Sequence, residues 1–309
     1  MLTLDGELNF CSCAFGFDLA DPVEPPRVEN RQQTGRRTVG EWREEWREAN
    51  RESWDERVPI HASGEFYDVA SFKAGQERLQ PFEVEEVGDV SGKDLLHLQC
   101  HFGMDTLSWA RRGARVAGLD FSAPAVEAAR SLASDLGLEA TFVRSDVYEA
   151  AEALEGRSFD VVYTGRGALN WLPDLGRWAG VVASLLRPGG FLYLSEFHPF
   201  TEVFGDEDLT VERDYFRGEG PQVWDEPGTY ADFGAETQHN LTYEWNHPLG
   251  EVVGAVVSAG LSVDLLREYD HTVFPRWPFL EKSEVGTYRI PEGSPRLPLM
   301  YSLRARKKA

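Results

Sequence analysis

The chain has 309 residues, of which 42% are hydrophobic and 27% are charged, which is ordinary for a globular protein with one large or two small domains. Its formal net charge of −21 argues against a nucleic-acid partner, because phosphate recognition needs a basic surface. No stretch approaches the ~18 uncharged apolar residues of a membrane span, so we expect no membrane partner and a cytoplasmic location. Cys100 falls at a strand end and is expected to pack there, whereas Cys11 and Cys13 have no second pair of ligands. We therefore expect no metal site.

The first ninety residues divide into two segments of different character. Residues 1–39 predict a flexible N-terminal tail, because several prolines interrupt any helical pattern. Residues 40–90 predict a helical segment, since Trp42 and Trp46 recur at helical spacing with Arg and Glu on the opposite face. The pattern leaves open whether this segment only packs on the following domain or also forms a lid over a pocket.

The stretch Asp94–Ser122 predicts a strand, a tight turn, a helix, a second strand and an acid in that order. Leu95–Leu98 is an apolar run typical of a strand buried on both faces, and Asp120 ends the second strand. In an open parallel sheet, ligands bind beyond the carboxyl ends of the strands. Gly103 allows the turn to pass under such a ligand, and Asp120 is well placed to accept hydrogen bonds from ribose hydroxyls.

The alternation of strands and helices continues downstream with two interruptions. Ser122 and Gly137 are suited to begin and end the second helix of this unit. The remaining strands are predicted at Ala140–Arg144, Phe159–Tyr163, Phe191–Phe197, Leu261–Tyr269 and Pro298–Arg306. Insertions at 199–246 and 271–297 are rich in aromatic residues, and we read the first as a substrate cap or else as a packing element without a ligand role.

Several passages resemble motifs of the class I S-adenosylmethionine (SAM) dependent methyltransferases. They are GARVAGLDFS, FDVVYTG and LLRPGGFLYLSE, and the likeness covers Asp94 to Phe197 well and reaches Arg306 in outline. The first strand departs from the family pattern, because LHLQCHFG places His97 at the usual acid and Gln99 and His101 at two of three glycines. This variant looks like a bacterial subgroup of the family, and residues 91–309 would form its methyltransferase domain.

The resemblance implies an α/β, Rossmann-like fold with a seven-stranded, mostly parallel sheet in the order 3-2-1-4-5-7-6, helices on both faces and an inserted substrate cap. It also implies SAM as cofactor, with Asp120 on the ribose, Asp146 on the adenine amino group and His97 near the methionine end. The full set of implied cofactor contacts is His97, Gln99, His101, Gly103, Asp120, Phe121, Asp146, Val147 and Thr164.

The expected function is transfer of a methyl group to an oxygen or nitrogen of a small-molecule acceptor. Glu196 and His198 are the candidate catalytic residues, since they lie two apart at the end of the fifth strand and face the same side. The alternative is that this pair only satisfies backbone groups. Trp54, Tyr67 and Trp171 are the candidate substrate contacts.

Two other functional classes remain open. A methyltransferase-like binding or scaffolding protein without turnover is suggested by Gln99 and His101, whose side chains stand where backbone usually meets the ligand. An NAD(P)-dependent oxidoreductase also ends its second strand with an acid, but residues 99–104 read QCHFGM and lack its GxGxxG sequence.

Overall fold

The computed structural model describes residues 39–309 except 217, 219 and 285, and it describes only the backbone of residues 39–43. Residues 39–309 form one compact unit. The predicted tail, Cys11 and Cys13 lie outside the described residues.

A seven-stranded sheet forms the centre of this unit. Its strands are β1 Asp94–Leu98, β2 Arg115–Asp120, β3 Ala140–Arg144, β4 Phe159–Thr164, β5 Leu186–Phe197, β8 Leu261–Tyr269 and β12 Met300–Lys307, numbered with the shorter strands described below. Their order is β3-β2-β1-β4-β5-β12-β8, with β12 antiparallel to both of its neighbours. Since β8 and β12 are the sixth and seventh predicted strands, the predicted order 3-2-1-4-5-7-6 is confirmed.

Alternate residues of the central strands pack on opposite faces of the sheet, as strand geometry requires. Leu96 and Leu98 of β1 join a core cluster with Trp178 and Val252, whereas Leu95 joins another with Trp109 and Val161. The helices on the two faces are α4 Met104–Arg111, α5 Ala123–Leu136, α6 Ala150–Ala153, α7 Leu175–Leu185 and α8 Leu249–Ser258. Burial on both faces explains why β1 reads as a continuous apolar run.

Local signals set the ends of α5 as expected. Ser122 Oγ accepts a hydrogen bond from Ala125 N at 3.2 Å, and Gly137 ends the helix at a φ of 63°. The Arg187–Gly190 stretch precedes the predicted fifth strand, Phe191–Phe197, but lies inside β5 in the structure. Phe159 pairs with Leu186 and Val161 pairs with Phe191, so these residues bulge out of the ladder.

The segment before the sheet is helical, with α1 Val39–Ser63, α2 Val69–Lys73 and α3 Pro81–Val87. Helix α1 continues through Pro59 to Ser63. The insertions have structure of their own: β6 Gln222–Asp225 pairs with β7 Leu241–Glu244, and a small sheet joins β9 His271–Thr272, β10 Glu281–Lys282 and β11 Tyr288–Arg289. Within the described ranges, every helix is too short or too polar to cross a membrane.

Candidate functional site

A cavity of about 1230 Å³ lies at the carboxyl ends of strands β1 to β5. We call the lining residues at and directly after the ends of these strands the floor, and helix α1 together with residues 200–246 the cover. The floor consists of residues from 97–105, 119–121, 145–148, 165–172 and 196–199. A cavity of this size exceeds the ~300–1,000 Å³ typical of small-ligand pockets and has room for two ligands side by side.

Asp120 ends β2 on the floor and is 7% exposed. Its Oδ2 accepts a hydrogen bond from His101 N at 2.8 Å, and its Oδ1 accepts one from Ser122 N at 3.0 Å. Burial raises the pKa of Asp120 to about 6, although the backbone donors oppose this. The carboxylate is therefore fixed in place and keeps lone pairs on both oxygens for a ligand.

The turn after β1 takes the conformation of a glycine-rich loop without all of its glycines. Gln99 and His101 have φ values of 55° and 50°, in the left-handed region that glycine prefers. Gly103 has a φ of 79°, and a Cβ there would lie 2.8 Å from the Phe142 ring and 3.0 Å from Ala129 Cβ. The glycine is thus required by close packing against α5 and β3 as well as by the turn.

Gln99 and His97 line the cavity but are tied to other parts of the floor. Gln99 Nε2 donates to Ala168 O at 2.8 Å, which holds the loop after β4, and His97 Nδ1 contacts Thr106 Oγ1 at 2.8 Å. Burial lowers the pKa of His97 to about 3, so its ring is neutral. Thr164 differs from the prediction, because its fully buried side chain is not part of the cavity lining and Gly165 and Arg166 line it instead.

The predicted adenine contacts lie along the same wall. Phe121, Asp146 and Val147 all line the cavity. Asp146 Oδ1 accepts a hydrogen bond from Tyr148 N at 2.9 Å, so it also caps the following turn, and its Oδ2 meets Arg47 of helix α1 at 3.5 Å. A capping role and a ligand role are compatible, because a carboxylate has more lone pairs than these contacts use.

Glu196 is buried and serves as an acceptor for the loop that follows β4. Its carboxylate accepts hydrogen bonds from the backbone amides of Gly167, Ala168 at 3.0 Å and Leu169 at 3.2 Å, and from Phe197 N at 2.9 Å. Burial raises its pKa, and the four amides oppose that shift. These contacts match the alternative in which Glu196 satisfies backbone groups.

His198 is 4% exposed and has partners at both ring nitrogens. Nδ1 accepts a hydrogen bond from Phe200 N at 3.1 Å, and Nε2 lies 3.0 Å from Glu268 Oε1. Since Nδ1 accepts, the proton of the neutral ring is on Nε2 and is donated to Glu268. The catalytic role of His198 stays a prediction, and in this arrangement the neutral ring has no free lone pair.

The cover is joined to itself and to the floor through side chains. Asn50 of α1 donates to Tyr243 O and accepts from Tyr243 N, both at 2.8 Å, and so extends the edge of β7. Glu56 accepts from the backbone amides of Gln238 and His239. These contacts join helix α1 to the rest of the cover. Side chains of α1 line the cavity, which is the position that a lid would take.

A row of three polar side chains connects the cover to the glycine-loop turn. Thr229 Oγ1 lies 2.6 Å from His61 Nε2, and His61 Nδ1 lies 2.9 Å from His101 Nε2. Burial, and then the charge of Arg57, lower the pKa of His61 to about 4, and burial also lowers that of His101. Both imidazoles are therefore neutral at neutral pH, and their hydrogen bonds join the cover to the turn after β1.

The predicted substrate contacts meet beside this row. Trp54, Tyr67 and Trp171 line the cavity, and the Trp54 and Trp171 rings pack edge to face at 5.3 Å. The Tyr67 hydroxyl bonds to that of Tyr230 in the cover. Aromatic side chains from distant parts of the chain thus form one wall.

Glu244 is a cavity residue that sequence reasoning missed. It ends β7, and Asn170 Nδ2 donates to its Oε2 at 2.9 Å. Burial raises the pKa of Glu244 to about 7, the Asn170 hydrogen bond opposes this, and the nearby Glu202 adds to it. In the sequence, Glu244 appears only as a single acid between Tyr243 and Trp245. This is a weak signal for a site residue, because such an acid is usually solvated.

Among residues 39–309 as described, no three His, Cys, Asp or Glu side chains come together as a metal site would require. His61 Nδ1 contacts His101 Nε2, and the other ring nitrogen of His61 contacts the Thr229 hydroxyl, which is not a His, Cys, Asp or Glu ligand.

Comparison with known proteins relates this geometry to a family. A family model described as a methyltransferase domain matches residues 96–192, which span β1 to β5 and most of the floor. The ubiquinone biosynthesis O-methyltransferase of Cronobacter sakazakii is 31% identical over 157 residues, a match to 45% of this chain and 64% of that enzyme. The chain therefore spans less than two thirds of the length of this relative.

Two solved structures share the fold. An S-adenosylmethionine dependent methyltransferase from Mesorhizobium loti has a TM-score of 0.52 and 21% identity, covering 74% of this chain and 96% of that one. A SAM-dependent methyltransferase from Methanosarcina mazei has a TM-score of 0.50 and 19% identity, covering 74% and 98%. At these levels of sequence identity, the two structures show that the fold is shared and nothing more.

Proposed function

We propose that this chain is a member of the class I SAM-dependent methyltransferase family and transfers a methyl group from SAM to an oxygen or nitrogen atom of a small-molecule acceptor. The observation that carries the proposal is the large cavity whose floor presents Asp120 and Asp146 at the ends of adjacent strands. The bound cofactor supplies an already activated methyl group. The protein therefore mainly has to hold both reactants in line.

The floor fits the adenosine part of this cofactor. Each Asp120 oxygen uses one lone pair on a backbone amide, which leaves lone pairs for both ribose hydroxyls. Phe121 is half-buried beside it and offers a ring for stacking, and the Val147 backbone follows Asp146 along the same wall. These are the residues that we propose bind the nucleoside.

The acceptor would lie between the floor and the cover. The aromatic wall of Trp54, Tyr67 and Trp171, with a few polar groups around it, is the composition expected of a small-molecule pocket. The formal charge of −21 supports a small acceptor over a nucleic acid. The name of the Cronobacter relative makes hydroxyl acceptors the first to test.

An oxygen or nitrogen acceptor needs a group that takes its proton. We propose Glu244 for this role ahead of His198 and Glu196. Glu244 lines the cavity with one hydrogen-bonded oxygen, and its pKa of about 7 suits proton removal at neutral pH. Both ring nitrogens of His198 and both oxygens of Glu196 are already engaged with neighbouring groups.

The first experiment is a thermal shift assay with S-adenosylhomocysteine and, separately, NAD. A ligand at 100 times its Kd stabilises the folded protein by about 2.7 kcal/mol, so binding is readily detected. We expect stabilisation by S-adenosylhomocysteine alone. Stabilisation by NAD alone, or by neither ligand, would overturn the cofactor assignment.

Turnover is tested by transfer of a labelled methyl group from SAM to a panel of phenols, catechols and amines. Label on an acceptor supports the enzyme. Tight S-adenosylhomocysteine binding with no transfer to any acceptor class, at a detection limit of one turnover per hour, would favour the binding-protein alternative.

A further inference from the structure

His97 has a ring nitrogen available for a ligand. The side chain is 4% exposed, and its Nδ1 is taken by Thr106 Oγ1 at 2.8 Å. Its Nε2 has no hydrogen-bond partner within the described part of the chain, and the residue lines the cavity. A neutral ring nitrogen that faces a cavity without a protein partner can accept a hydrogen bond from a ligand.

Gly165 marks the point to which this nitrogen is directed. A Cβ built on Gly165 would lie 3.5 Å from His97 Nε2 and 3.8 Å from Asp105 Oδ2. A ring carbon of Tyr163 lies 3.7 Å from the same point. Two polar atoms, from β1 and α4, thus lie within van der Waals contact of the side of Gly165 that carries no side chain.

The charge around this point is unbalanced. Arg166 donates to Glu83 Oε2 at 2.6 Å and to Asp105 Oδ2 at 3.3 Å, so one cation faces two carboxylates. Glu83 is fully buried and also accepts from the Tyr163 hydroxyl at 2.9 Å. Asp105 has only the longer of the two Arg166 contacts. A half-buried carboxylate of this kind favours a second cation beside it.

We propose that Asp105, with His97 Nε2 beside it, binds the α-ammonium group of the amino-acid end of the cofactor. Asp105 then replaces, from the first turn of α4, the acid that the family places at the position of His97. The inference rests on the proposed function, because it names the residues that bind one end of the same ligand. Because Gly165 has no side chain, the ammonium group can approach Asp105 and His97 past its backbone.

The test compares two nucleosides by isothermal titration calorimetry with the full chain. S-adenosylhomocysteine carries the amino-acid end, whereas 5′-methylthioadenosine shares the adenosine and thioether but lacks the ammonium and carboxylate groups. In Asp105→Asn we expect Kd for S-adenosylhomocysteine to rise about tenfold or more, as for loss of a charge-assisted hydrogen bond. Kd for 5′-methylthioadenosine should stay within twofold.

Gly165→Ala is the second variant, since it fills the same point without removing a charge. It should show the same selective loss. Asp146→Asn is the matched control, because it alters a carboxylate at the adenosine end and should weaken both nucleosides alike. Melting curves of each variant check that the fold is retained.

Equal loss of both nucleosides in Asp105→Asn and Gly165→Ala would make these residues structural and overturn the inference. Unchanged affinity for both would also overturn it. Failure of the wild-type chain to bind either nucleoside would instead refute the proposed function.

Discussion

On the floor of the cavity, carboxylates accept hydrogen bonds from backbone amides, whereas in the cover, side chains bridge segments that are far apart in sequence. Asp120 binds amides 19 and 2 positions away, and Asp146 binds one 2 positions away. Asn50 reaches a partner 193 positions away, and His61 one 168 positions away. The floor is therefore assembled with the sheet, and the cover depends on the finished fold. We expect substitutions in the floor to affect stability and nucleoside affinity most.

The largest effect is expected from Glu196→Ala. The substitution leaves buried amides of Gly167, Ala168 and Leu169 without an acceptor, and each unsatisfied group costs about 1–3 kcal/mol. We expect the free energy of unfolding to fall by about 3 kcal/mol or more in urea titrations. Glu152→Ala, at an exposed acid of α6, is the control and should change it by less than ~0.5 kcal/mol. A small loss in Glu196→Ala would mean that the loop does not depend on this carboxylate.

Asp120→Ala should weaken S-adenosylhomocysteine binding by roughly 2 kcal/mol or more, because two hydrogen bonds to a charged acceptor are lost. Calorimetry of the folded variant measures this. Unchanged affinity would remove Asp120 from the ribose site.

The same carboxylate predicts a pH dependence. The pKa of Asp120 in the free protein is raised to about 6. The ribose hydroxyl groups donate better to the ionised carboxylate than to the protonated acid. Affinity should therefore fall as pH drops below about 6, by up to tenfold per pH unit. The slope should be absent in Asp120→Ala.

In the cover, Asn50→Ala should cost about 1–2 kcal/mol, since one buried side chain serves both backbone groups of Tyr243. Hydrogen exchange should quicken in residues 222–244 more than in β1 or β4, because the contact joins only the cover. Glu52→Ala on the exposed face of α1 is the control. Uniform acceleration over the whole sheet would show that cover and floor open together.

The last effect concerns the pH dependence contributed by Glu244. Its pKa is raised from 4.5 to about 7 by burial, so between these values the folded state holds a proton that the unfolded state has released. This group makes the free energy of unfolding fall as pH rises through that window, by at most about 1.4 kcal/mol per unit. In urea titrations, the Glu244→Gln variant should gain stability relative to the wild-type protein as pH rises from 5 to 7. Parallel pH profiles for the two proteins would contradict the raised pKa.

Much of the floor was predictable because its signals are local. Apolar runs marked the strands, Ser122 and Gly137 marked the ends of α5, and strand-end acids marked Asp120 and Asp146. The observed sheet order agrees with the predicted order. The prediction followed from the alternation of strands and helices together with the family resemblance. Thr164 lies off the cavity lining, because the side-chain face of a strand's last residue depends on the register of its neighbours.

The sequence by itself determined the class of fold and the acids at the strand ends, because strand periodicity, capping and turn chemistry act over a few residues. Only the tertiary structure decided what each side chain does there. It engaged Glu196 and His198 with neighbouring groups, raised the pKa of Glu244 by burial, and brought His97, Asp105 and Gly165 to one point. Burial and charge balance are properties of segments that meet in space, and no local pattern in the chain records which segments will meet.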